Sequence, residues 1–223
     1  MMIIDFLRDT ASSFFYLLVT PFCVYCREWL YDRQRVLCNK CTAMIQPVVS
    51  VDLEITKTYK ITVHALSAYR DPLRTLIQSK RFGDRIAAYD LGRLLWQLTY
   101  FNHLTCDYLV PIPLHWTRYA RRGYNQAEEM AHELGRRRQV PVAKLLKRVR
   151  KTEFQAQLDK ESRSENVQGA FVLDVADPSI YAGKHLILID DLMTTGATLK
   201  EAARLLRTLK PASITALVAC RVI

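Results

Sequence analysis

Two adjacent carboxylates and a hydroxyl-rich turn, between Asp190 and Thr198, form the stretch of this sequence best suited to chemistry. The apolar run Leu186–Ile189 before them predicts a strand buried on both faces of a parallel sheet. Apolar residues recur at helical spacing after the turn, so the turn opens a helix. Free N–H groups and the helix dipole favour an anion there, and Gly196 lets the backbone approach it closely.

Asp190 and Asp191 would repel a phosphate, but carboxylates of this kind accept ribose hydroxyls or bind Mg²⁺. The alternative is a core strand of a doubly wound sheet whose acid pair only caps the following helix. Because the loop and the helix follow in register, the phosphate interpretation is favoured. A P-loop enzyme is disfavoured, since the sequence has no GxxxxGK[ST] run.

Two CxxC pairs supply a candidate metal site. The pairs are separated by eleven residues, a spacing that can place four thiolates at the corners of a tetrahedron around Zn²⁺. Such a ligand set is closed, so its role would be structural. A redox dithiol and a chance coincidence of two pairs are the alternatives. The predicted ligands are Cys23, Cys26, Cys38 and Cys41.

The chain is basic, with a formal net charge of +10, and most of the excess lies in one stretch. Between Trp116 and Lys151 there are eleven Lys or Arg and three Glu, which leaves a net charge of +8. This stretch follows a short apolar strand, Tyr108–Pro113. We predict a basic loop over Leu114–Gly123 that suits a second anion such as pyrophosphate, and then a helix capped by Asn125. The alternative is a solvated basic face.

The elements that position these residues follow in order. We predict an N-terminal part over residues 1–50 and an α/β domain over residues 51–223. The first twenty residues predict an amphipathic helix, with peripheral membrane contact as the alternative, and no stretch qualifies as a transmembrane helix. A short edge strand is expected within Val140–Leu146, a polar loop over Lys147–Asn166, and a final strand, Ser213–Val222, that closes the sheet.

Two resemblances add to these predictions. The run LILIDDLMTTGAT resembles the phosphoribosyl pyrophosphate (PRPP) motif of type I phosphoribosyltransferases. Together with the paired CxxC motifs, VPIPLHWTRYARRGYNQA and SRSENVQGAF, in that order, it makes nearly the whole chain resemble the ComF family of competence-associated proteins. The resemblance implies a type I phosphoribosyltransferase-like α/β fold, with a mainly parallel sheet and flanking helices, behind a four-cysteine zinc ribbon.

The resemblance also implies roles for particular residues. PRPP, or a related phosphorylated sugar or nucleotide, would be bound with Mg²⁺ by Asp190, Asp191, Thr194, Thr195, Gly196, Ala197 and Thr198. Arg118 and Arg122 would act on the pyrophosphate, and Lys147–Asn166 would be a lid. Single-stranded DNA would lie on a basic surface beside Trp116, Tyr119 or Tyr124. That surface would comprise Arg121, Arg136, Arg137, Arg138, Lys147, Arg148, Arg150 and Lys151.

The functional prediction is a PRPP- and Mg²⁺-binding protein that handles incoming single-stranded DNA in natural transformation. It would act in the cytoplasm, with peripheral contact at the inner membrane and with other competence proteins as further expectations. The alternatives are an active, pyrophosphate-releasing phosphoribosyltransferase on an unidentified nucleotide-related acceptor, and a DNA-utilisation protein without a role in competence. Because the sequence shows no amidotransferase nucleophile and no nucleobase pocket, it leaves catalysis open.

Overall fold

A computed structural model describes residues 22–32, 34–79, 85–150 and 168–223 and divides the chain into two units, Met1–Met44 and Ile45–Ile223. The division falls slightly before the predicted boundary at residue 50. Ser67 donates to the carbonyl of Gln46 (3.0 Å), and Ala68 N–H donates to the same carbonyl (3.1 Å), so the chain after Met44 is tied to a strand of the larger unit. The predicted N-terminal helix lies outside the described residues.

The smaller unit is built around its cysteines. Its short helix α1 (Asn39–Ala43) begins directly after Cys38. Phe22 and Trp29 form an antiparallel bridge, and their rings meet edge to face with centroids 5.4 Å apart. This bridge closes the turn that contains the first cysteine pair. Among the described residues of this unit, Leu30, Val36 and Leu37 are buried together with Cys23, Cys38 and Cys41.

The larger unit alternates strands and helices. Its strands are β1 (Val51–Thr56), β2 (Tyr59–Ala68), β3 (Tyr108–Pro111), β4 (Leu146–Arg148), β5 (Phe171–Leu173), β6 (His185–Met193) and β7 (Ser213–Arg221). Its α-helices are α2 (Leu73–Ser79), α3 (Arg85–Leu98), α4 (Trp116–Arg122), α5 (Gln126–Arg138) and α6 (Ala197–Leu206). Short 3₁₀ turns occupy Tyr100–His103, Pro178–Tyr181 and Arg207–Leu209. None of the described helices is long and apolar enough to cross a bilayer.

The main sheet has the strand order β1-β2-β7-β6-β3, with every pairing parallel except that of the edge strand β1. The predicted α/β class with a mainly parallel sheet is therefore confirmed. The last strand, β7, does not close the sheet but lies in its middle, between β2 and β6. The seven residues from Ile214 to Cys220, in the middle of this nine-residue strand, are mostly buried, as a strand with neighbours on both sides requires.

Two further strands form a separate hairpin. β4 and β5 pair antiparallel with each other and with no strand of the main sheet. The edge strand predicted within Val140–Leu146 is reduced to a single parallel bridge between Val142 and Leu109. The polar loop predicted from Lys147 begins as strand, because Leu146–Arg148 pairs with Phe171–Leu173, and residues 151–167 lie outside the described residues.

Helices cover both faces of the sheet. On one face Leu109 of β3 lies against α5, where a Cβ added to Gly135 would be 3.5 Å from the Leu109 Cδ1 atom. On the other face Leu186 and Leu188 of β6 share a hydrophobic cluster with residues of α6 and of the β4–β5 hairpin. Since alternate residues of a strand point to opposite faces, each buried strand serves both layers.

Helix α5 begins as predicted. The Asn125 side chain accepts from Ala127 N–H (3.2 Å) and donates to the carbonyl of Ile112 just after β3 (3.0 Å). Glu128 and Glu129 lie in the first turn, where carboxylates complement the helix dipole. The cap therefore satisfies the helix end internally and fixes it beside the end of β3.

Candidate functional site

The site forms where the parallel strands end. β3 and β6 pair in parallel from Tyr108 opposite Leu186 to Pro111 opposite Ile189, and β7 follows β6 on its other side. The carboxyl ends of these strands therefore meet at one edge of the sheet, which we call the carboxyl edge. Ligands of open α/β sheets bind at this edge because loops and helix N-termini converge there.

The sequence predicted that the acid pair follows the strand. In the structure the acid pair lies inside β6. The strand continues to Met193 because its partner β7 also continues, with Asp190 opposite Val218 and Met193 opposite Arg221. Asp190 and Asp191 are both half-buried, and the Asp190 carboxylate accepts from Asp191 N–H (2.9 Å). Pairing with β7 thus fixes the backbone of both acids, and neither residue is fully buried.

Gly196 is needed where the chain turns from β6 into α6. It adopts a left-handed φ of 79°, and an added Cβ would lie 2.8 Å from Leu53 Cδ1 and 3.1 Å from Met193 Cε. A side chain would therefore meet both backbone strain and a steric clash. Thr194 is exposed, and Thr195, Ala197 and Thr198 are half-buried. All the residues of the predicted phosphate loop thus lie at the N-terminus of α6.

The N-terminus of α6 differs from that of α5. Within the described part of the chain, Gly196 provides no side-chain cap for α6 and no acid occupies the first turn. Thr195 Oγ1 accepts from Ala197 N–H only at 3.5 Å, the limit of a hydrogen bond. The positive end of the helix dipole, with only this long side-chain hydrogen bond at Ala197 N–H, therefore favours an anion at the end of β6.

The predicted basic loop Leu114–Gly123 is largely a helix. His115, itself buried, caps α4 by accepting from Thr117 N–H (3.4 Å), and Gly123 ends the helix with a φ of 76°. Residues 116–122 contain neither proline nor glycine, so they can form a helix, and the caps at both ends stabilise it. The prediction of a loop was wrong, but its position after β3 at the carboxyl edge is as expected.

Helix α4 buries none of its residues. Arg121 is exposed, whereas Arg118 and Arg122 are half-buried, and burial together with the charge of Arg121 lowers the pKa of Arg118. Trp116 is 70% exposed and Tyr119 is 50% exposed, so both rings are open to a ligand. Tyr124 is only 4% exposed, and the suggestion that it stacks on a base is wrong.

The basic residues predicted to bind nucleic acid fall into separate groups. Lys147 and Arg150 are exposed near the hairpin, where Arg150 Nη1 donates to the carbonyl of Gln168 (3.1 Å). Arg148 is half-buried on β4 with its guanidinium carbon 5.3 Å from the centre of the Phe171 ring. Lys151 lies outside the described residues.

The other group, Arg136–Arg138, lies at the far end of α5. Arg136 and Arg137 form ion pairs with Glu133, whose side chain is fully buried, and Arg138 Nη1 donates to the carbonyl of Phe101 (2.8 Å). Because Phe101 precedes β3, this end of α5 lies at the opposite edge of the sheet from Asp190. Those two ion pairs lie within α5, but Arg136 also donates to the Tyr89 hydroxyl of α3 (2.9 Å) and Arg137 lies over the Trp96 ring. The three guanidiniums therefore contact elements beside α5, and the structure does not bring them to the carboxyl edge.

The four cysteines of the smaller unit converge as predicted. Their sulfur atoms all lie within 4.8 Å of one another, and the Cys26 and Cys38 sulfurs are 3.7 Å apart. A tetrahedral zinc ion with Zn–S bonds of about 2.3 Å separates its sulfurs by about 3.8 Å, so the donor set and its spacing fit Zn²⁺. None of the four forms a disulfide.

Protonation also favours a cation in this cluster. Burial raises the pKa of Cys23, but N–H groups of Cys26 and Cys38 donating to its sulfur outweigh burial and bring the pKa to about 7. Burial and the neighbouring sulfurs raise the pKa of Cys41. The four thiols therefore cannot all ionise at neutral pH unless a cation neutralises them.

Sequence reasoning missed one residue that supports the carboxyl edge. Glu201 of α6 is 7% exposed and accepts from Gly169 N–H (2.8 Å), which fixes the start of the β5 segment to α6. Arg204 pairs with the same carboxylate (2.9 Å). The signal was an acid next to the apolar stripe of the predicted helix, where a carboxylate is buried only if it has partners.

Comparison with known proteins identifies the class of the larger unit. Residues 119–223 match the family model described as the phosphoribosyl transferase domain. The larger unit is therefore similar to that family over this range, which contains β4–β7, α5 and α6. β2 and β3 precede the range but pair with β7 and β6, so the earlier residues complete the same sheet.

Named relatives indicate more specifically which proteins this chain resembles. The chain is 29% identical over 210 residues to competence protein F of Haemophilus influenzae, covering 84% of this chain and 91% of that protein. It is 34% identical over 153 residues to DNA utilization protein YhgH of Salmonella typhi, covering 64% of each. It is 41% identical over 98 residues to competence protein ComFC of Bacillus subtilis, covering 44% of this chain and 37% of that protein. The predicted resemblance to the ComF family is confirmed.

The cysteine cluster generates the first prediction. We expect the purified protein to contain about one Zn²⁺ per chain and Cys38→Ser to lose it, because a buried thiolate ligand cannot be replaced by a hydroxyl. Metal analysis of both proteins measures this. Cys106→Ser, outside the cluster, is the control and should retain the metal. Equal zinc content in wild type and Cys38→Ser would contradict the assignment.

Proposed function

We propose that this protein binds PRPP with Mg²⁺ at the carboxyl edge of its sheet. The observation that carries the proposal is the N-terminus of α6, which has no side-chain cap from Gly196 and is separated from the acid-bearing strand by three residues. The 5-phosphate would accept hydrogen bonds from N–H groups of residues 194–198. Asp190 and Asp191 would hold Mg²⁺ or the ribose hydroxyls, since the phosphate itself must avoid the carboxylates.

The match to the phosphoribosyl transferase domain supports a phosphoribosyl substrate. The positively charged residues of α4 support one orientation of PRPP in the site. Arg118 and Arg122 on α4 approach the same edge from β3, so the pyrophosphate end of PRPP would point toward them. Mg²⁺, when bound, would partly neutralise the pyrophosphate. An acceptor that attacked the ribose would displace pyrophosphate, and these guanidiniums would then stabilise the charge of the leaving group.

We further propose a role in competence that involves single-stranded DNA. The relative of which this chain covers 91% is named a competence protein, and other relatives are named for DNA utilization. Helix α4 presents Trp116 and Tyr119 to solvent beside Arg121, a combination of stacking surfaces and positive charge that suits single strands. The free cysteines fit a reducing cytoplasm, with peripheral contact at the inner membrane as part of the proposal.

The acid pair provides the test of PRPP binding. We expect Asp190→Asn/Asp191→Asn to weaken binding of Mg²⁺–PRPP by about 100-fold or more, because two charge-assisted contacts are lost. Without Mg²⁺ the variant should bind PRPP no more weakly than wild type, since two repelling carboxylates are gone. Calorimetric titration measures both, and released pyrophosphate in the presence of candidate acceptors reports turnover.

The matched control is Asp52→Asn/Glu54→Gln, which removes two exposed carboxylates from the edge strand β1 and should bind Mg²⁺–PRPP like wild type. Mg²⁺-dependent binding that survives in Asp190→Asn/Asp191→Asn would contradict the proposal. Binding by wild type with pyrophosphate release would make the protein an active transferase. Binding without release would favour a role in PRPP sensing or DNA handling.

Helix α4 provides the test of DNA binding. We expect Trp116→Ala/Tyr119→Ala to weaken binding of a labelled oligo-dT by about 30-fold or more, because each of the two lost stacking contacts contributes about 1–3 kcal/mol. Arg121→Ala should lower the salt dependence of binding by about 0.7 log units per log unit of salt. Fluorescence anisotropy measures both. Tyr100→Ala removes another exposed ring, 82% exposed, and should leave binding unchanged; an equal loss in this control would contradict a local site.

A further inference from the structure

The N-terminus of α6 is contacted by a strand that lies far from β6 in the sheet. β1 is separated from β6 by β2 and β7, and since neighbouring strands lie about 4.8 Å apart, a flat sheet would place β1 about 14 Å from β6. Leu53 of β1 nevertheless contacts the loop that follows β6. A Cβ added to Gly196 would lie 2.8 Å from Leu53 Cδ1 and 3.2 Å from Leu53 Cδ2. Both methyl groups of Leu53 therefore pack against the backbone of Gly196.

The shape of β1 explains how this strand reaches α6. Its pairing with β2 changes register between Glu54 and Thr56, as at a β-bulge, and an irregularity of this kind bends a strand and increases its twist. Leu53 packs against the hydrophobic cluster that contains Leu199 of α6, and Ile55 belongs to the same cluster. The edge strand thus bends over α6 and covers it with apolar side chains.

The hairpin formed by β1 and β2 also contacts the other end of α6. Arg207, which follows α6 directly, donates from Nη1 to Thr56 Oγ1 (3.4 Å), and its guanidinium carbon lies 5.2 Å from the centre of the Tyr59 ring. Leu53 makes the corresponding contact at the N-terminus of the helix. The position of α6, and of the loop that opens it, therefore depends on β1 and β2 as well as on β6.

Gly196 is held from two sides. Met193 Cε lies 3.1 Å from the position of the added Cβ, so a residue of β6 and a residue of β1 meet at this glycine. The Gly196 carbonyl accepts a hydrogen bond from Lys200 N–H in the first turn of the helix (2.8 Å). A shift of Gly196 would therefore move this first turn, and with it the N–H groups that face an anion at the end of β6.

From this arrangement we infer that Leu53 is a positioning residue for the phosphate loop, residues 194–198, which it holds in place through Gly196. An apolar side chain does not bind a phosphate itself, but it fixes the backbone that does. The inference rests on the proposed function in one respect, since the phosphate concerned is the 5-phosphate of PRPP. An edge strand outside the range that matches the phosphoribosyl transferase domain would then contribute to the affinity of the loop inside it.

The test uses the full chain with Mg²⁺ and two probes, ribose 5-phosphate and inorganic pyrophosphate. Leu53→Ala removes the contact with Gly196 and leaves the sequence of the loop unchanged. We expect this variant to bind ribose 5-phosphate about 10-fold more weakly, because the N–H groups of the loop are less well ordered before binding. Binding of pyrophosphate should change less than about two-fold, since the proposed function places this group at α4. Calorimetric titration measures both affinities.

Ile55→Ala is the matched control. Ile55 lies on the same strand and is only 4% exposed, whereas Leu53 is half-buried, so Ile55→Ala should lower the midpoint of thermal unfolding at least as much as Leu53→Ala. Because the atoms nearest the added Cβ at Gly196 belong to Leu53 and Met193, Ile55→Ala should bind ribose 5-phosphate like wild type. Wild-type affinity in Leu53→Ala, or an equal loss of affinity in Ile55→Ala, would overturn the inference.

A conservative variant separates the contact from the identity of the residue. The side chain of Leu53→Met is long and flexible enough to refill the space beside Gly196, so this variant should recover most of the affinity for ribose 5-phosphate that Leu53→Ala loses. An affinity as low as that of Leu53→Ala would count against the inference. Should Leu53→Ala not fold, Leu53→Val takes its place and should show the same selective loss at smaller magnitude, and wild-type affinity in Leu53→Val would overturn the inference.

Hydrogen exchange tests the same role without any ligand. Lys200 N–H is protected by its hydrogen bond to the Gly196 carbonyl, so it should exchange about 10-fold faster in Leu53→Ala than in wild type and at the wild-type rate in Ile55→Ala. An unchanged rate in Leu53→Ala would overturn the inference. A wild type that binds neither ribose 5-phosphate nor PRPP would refute the proposed function, whereas the exchange of Lys200 N–H would still test Leu53.

Discussion

Parallel pairing of β6 with both β3 and β7 is the constraint on which the candidate site depends. It brings the carboxyl ends of three strands to one edge and extends β6 far enough for Asp190 to lie within the sheet. The loop after β6 and the helix after β3 must then leave from that same edge. Without this register, Asp190 and Asp191 would not lie at the same edge of the sheet as helix α4.

The helices α5 and α6 both begin at this edge, but their N-termini differ in how the protein caps them. Asn125 caps α5, and two glutamates complement its dipole, so that end is satisfied by the protein. Gly196 gives α6 a tight turn but no side-chain cap from the described residues. The difference directs an anion to α6, where the adjacent carboxylates would repel a bare phosphate and favour one that arrives with Mg²⁺ or a sugar.

The basic stretch illustrates how far the sequence could be interpreted. Local patterns predict the charge of this stretch and the cap at Asn125. Elsewhere in the chain they predict the buried strand before Asp190 and the convergence of four cysteines. The structure contains each of these features. The destination of each arginine does not follow, because it depends on partners distant in sequence. Arg138 donates to the carbonyl of Phe101, and the Arg148 guanidinium lies over the Phe171 ring.

Other errors have similar physical causes. The extension of β6 to Met193 is set by its pairing with β7, and a pair of acids in isolation predicts the end of a strand. Helix α4 forms because His115 and Gly123 cap a short segment that buries nothing, so hydrophobic periodicity gave no signal for it. The position of the acid pair next to the Thr194–Thr198 turn could therefore be predicted from the sequence, whereas the positions of the arginines depend on the sheet.

The most direct test of PRPP binding at the carboxyl edge is ³¹P NMR of PRPP titrated with wild-type protein and Mg²⁺. An arrangement with the 5-phosphate at α6 and the pyrophosphate at Arg118 and Arg122 predicts that the 5-phosphate and the pyrophosphate resonances both shift on binding. Both shifts should disappear in Asp190→Asn/Asp191→Asn. A shift confined to the pyrophosphate resonances would contradict the assignment of the Thr194–Thr198 loop, and unshifted spectra at saturating protein would contradict PRPP binding altogether.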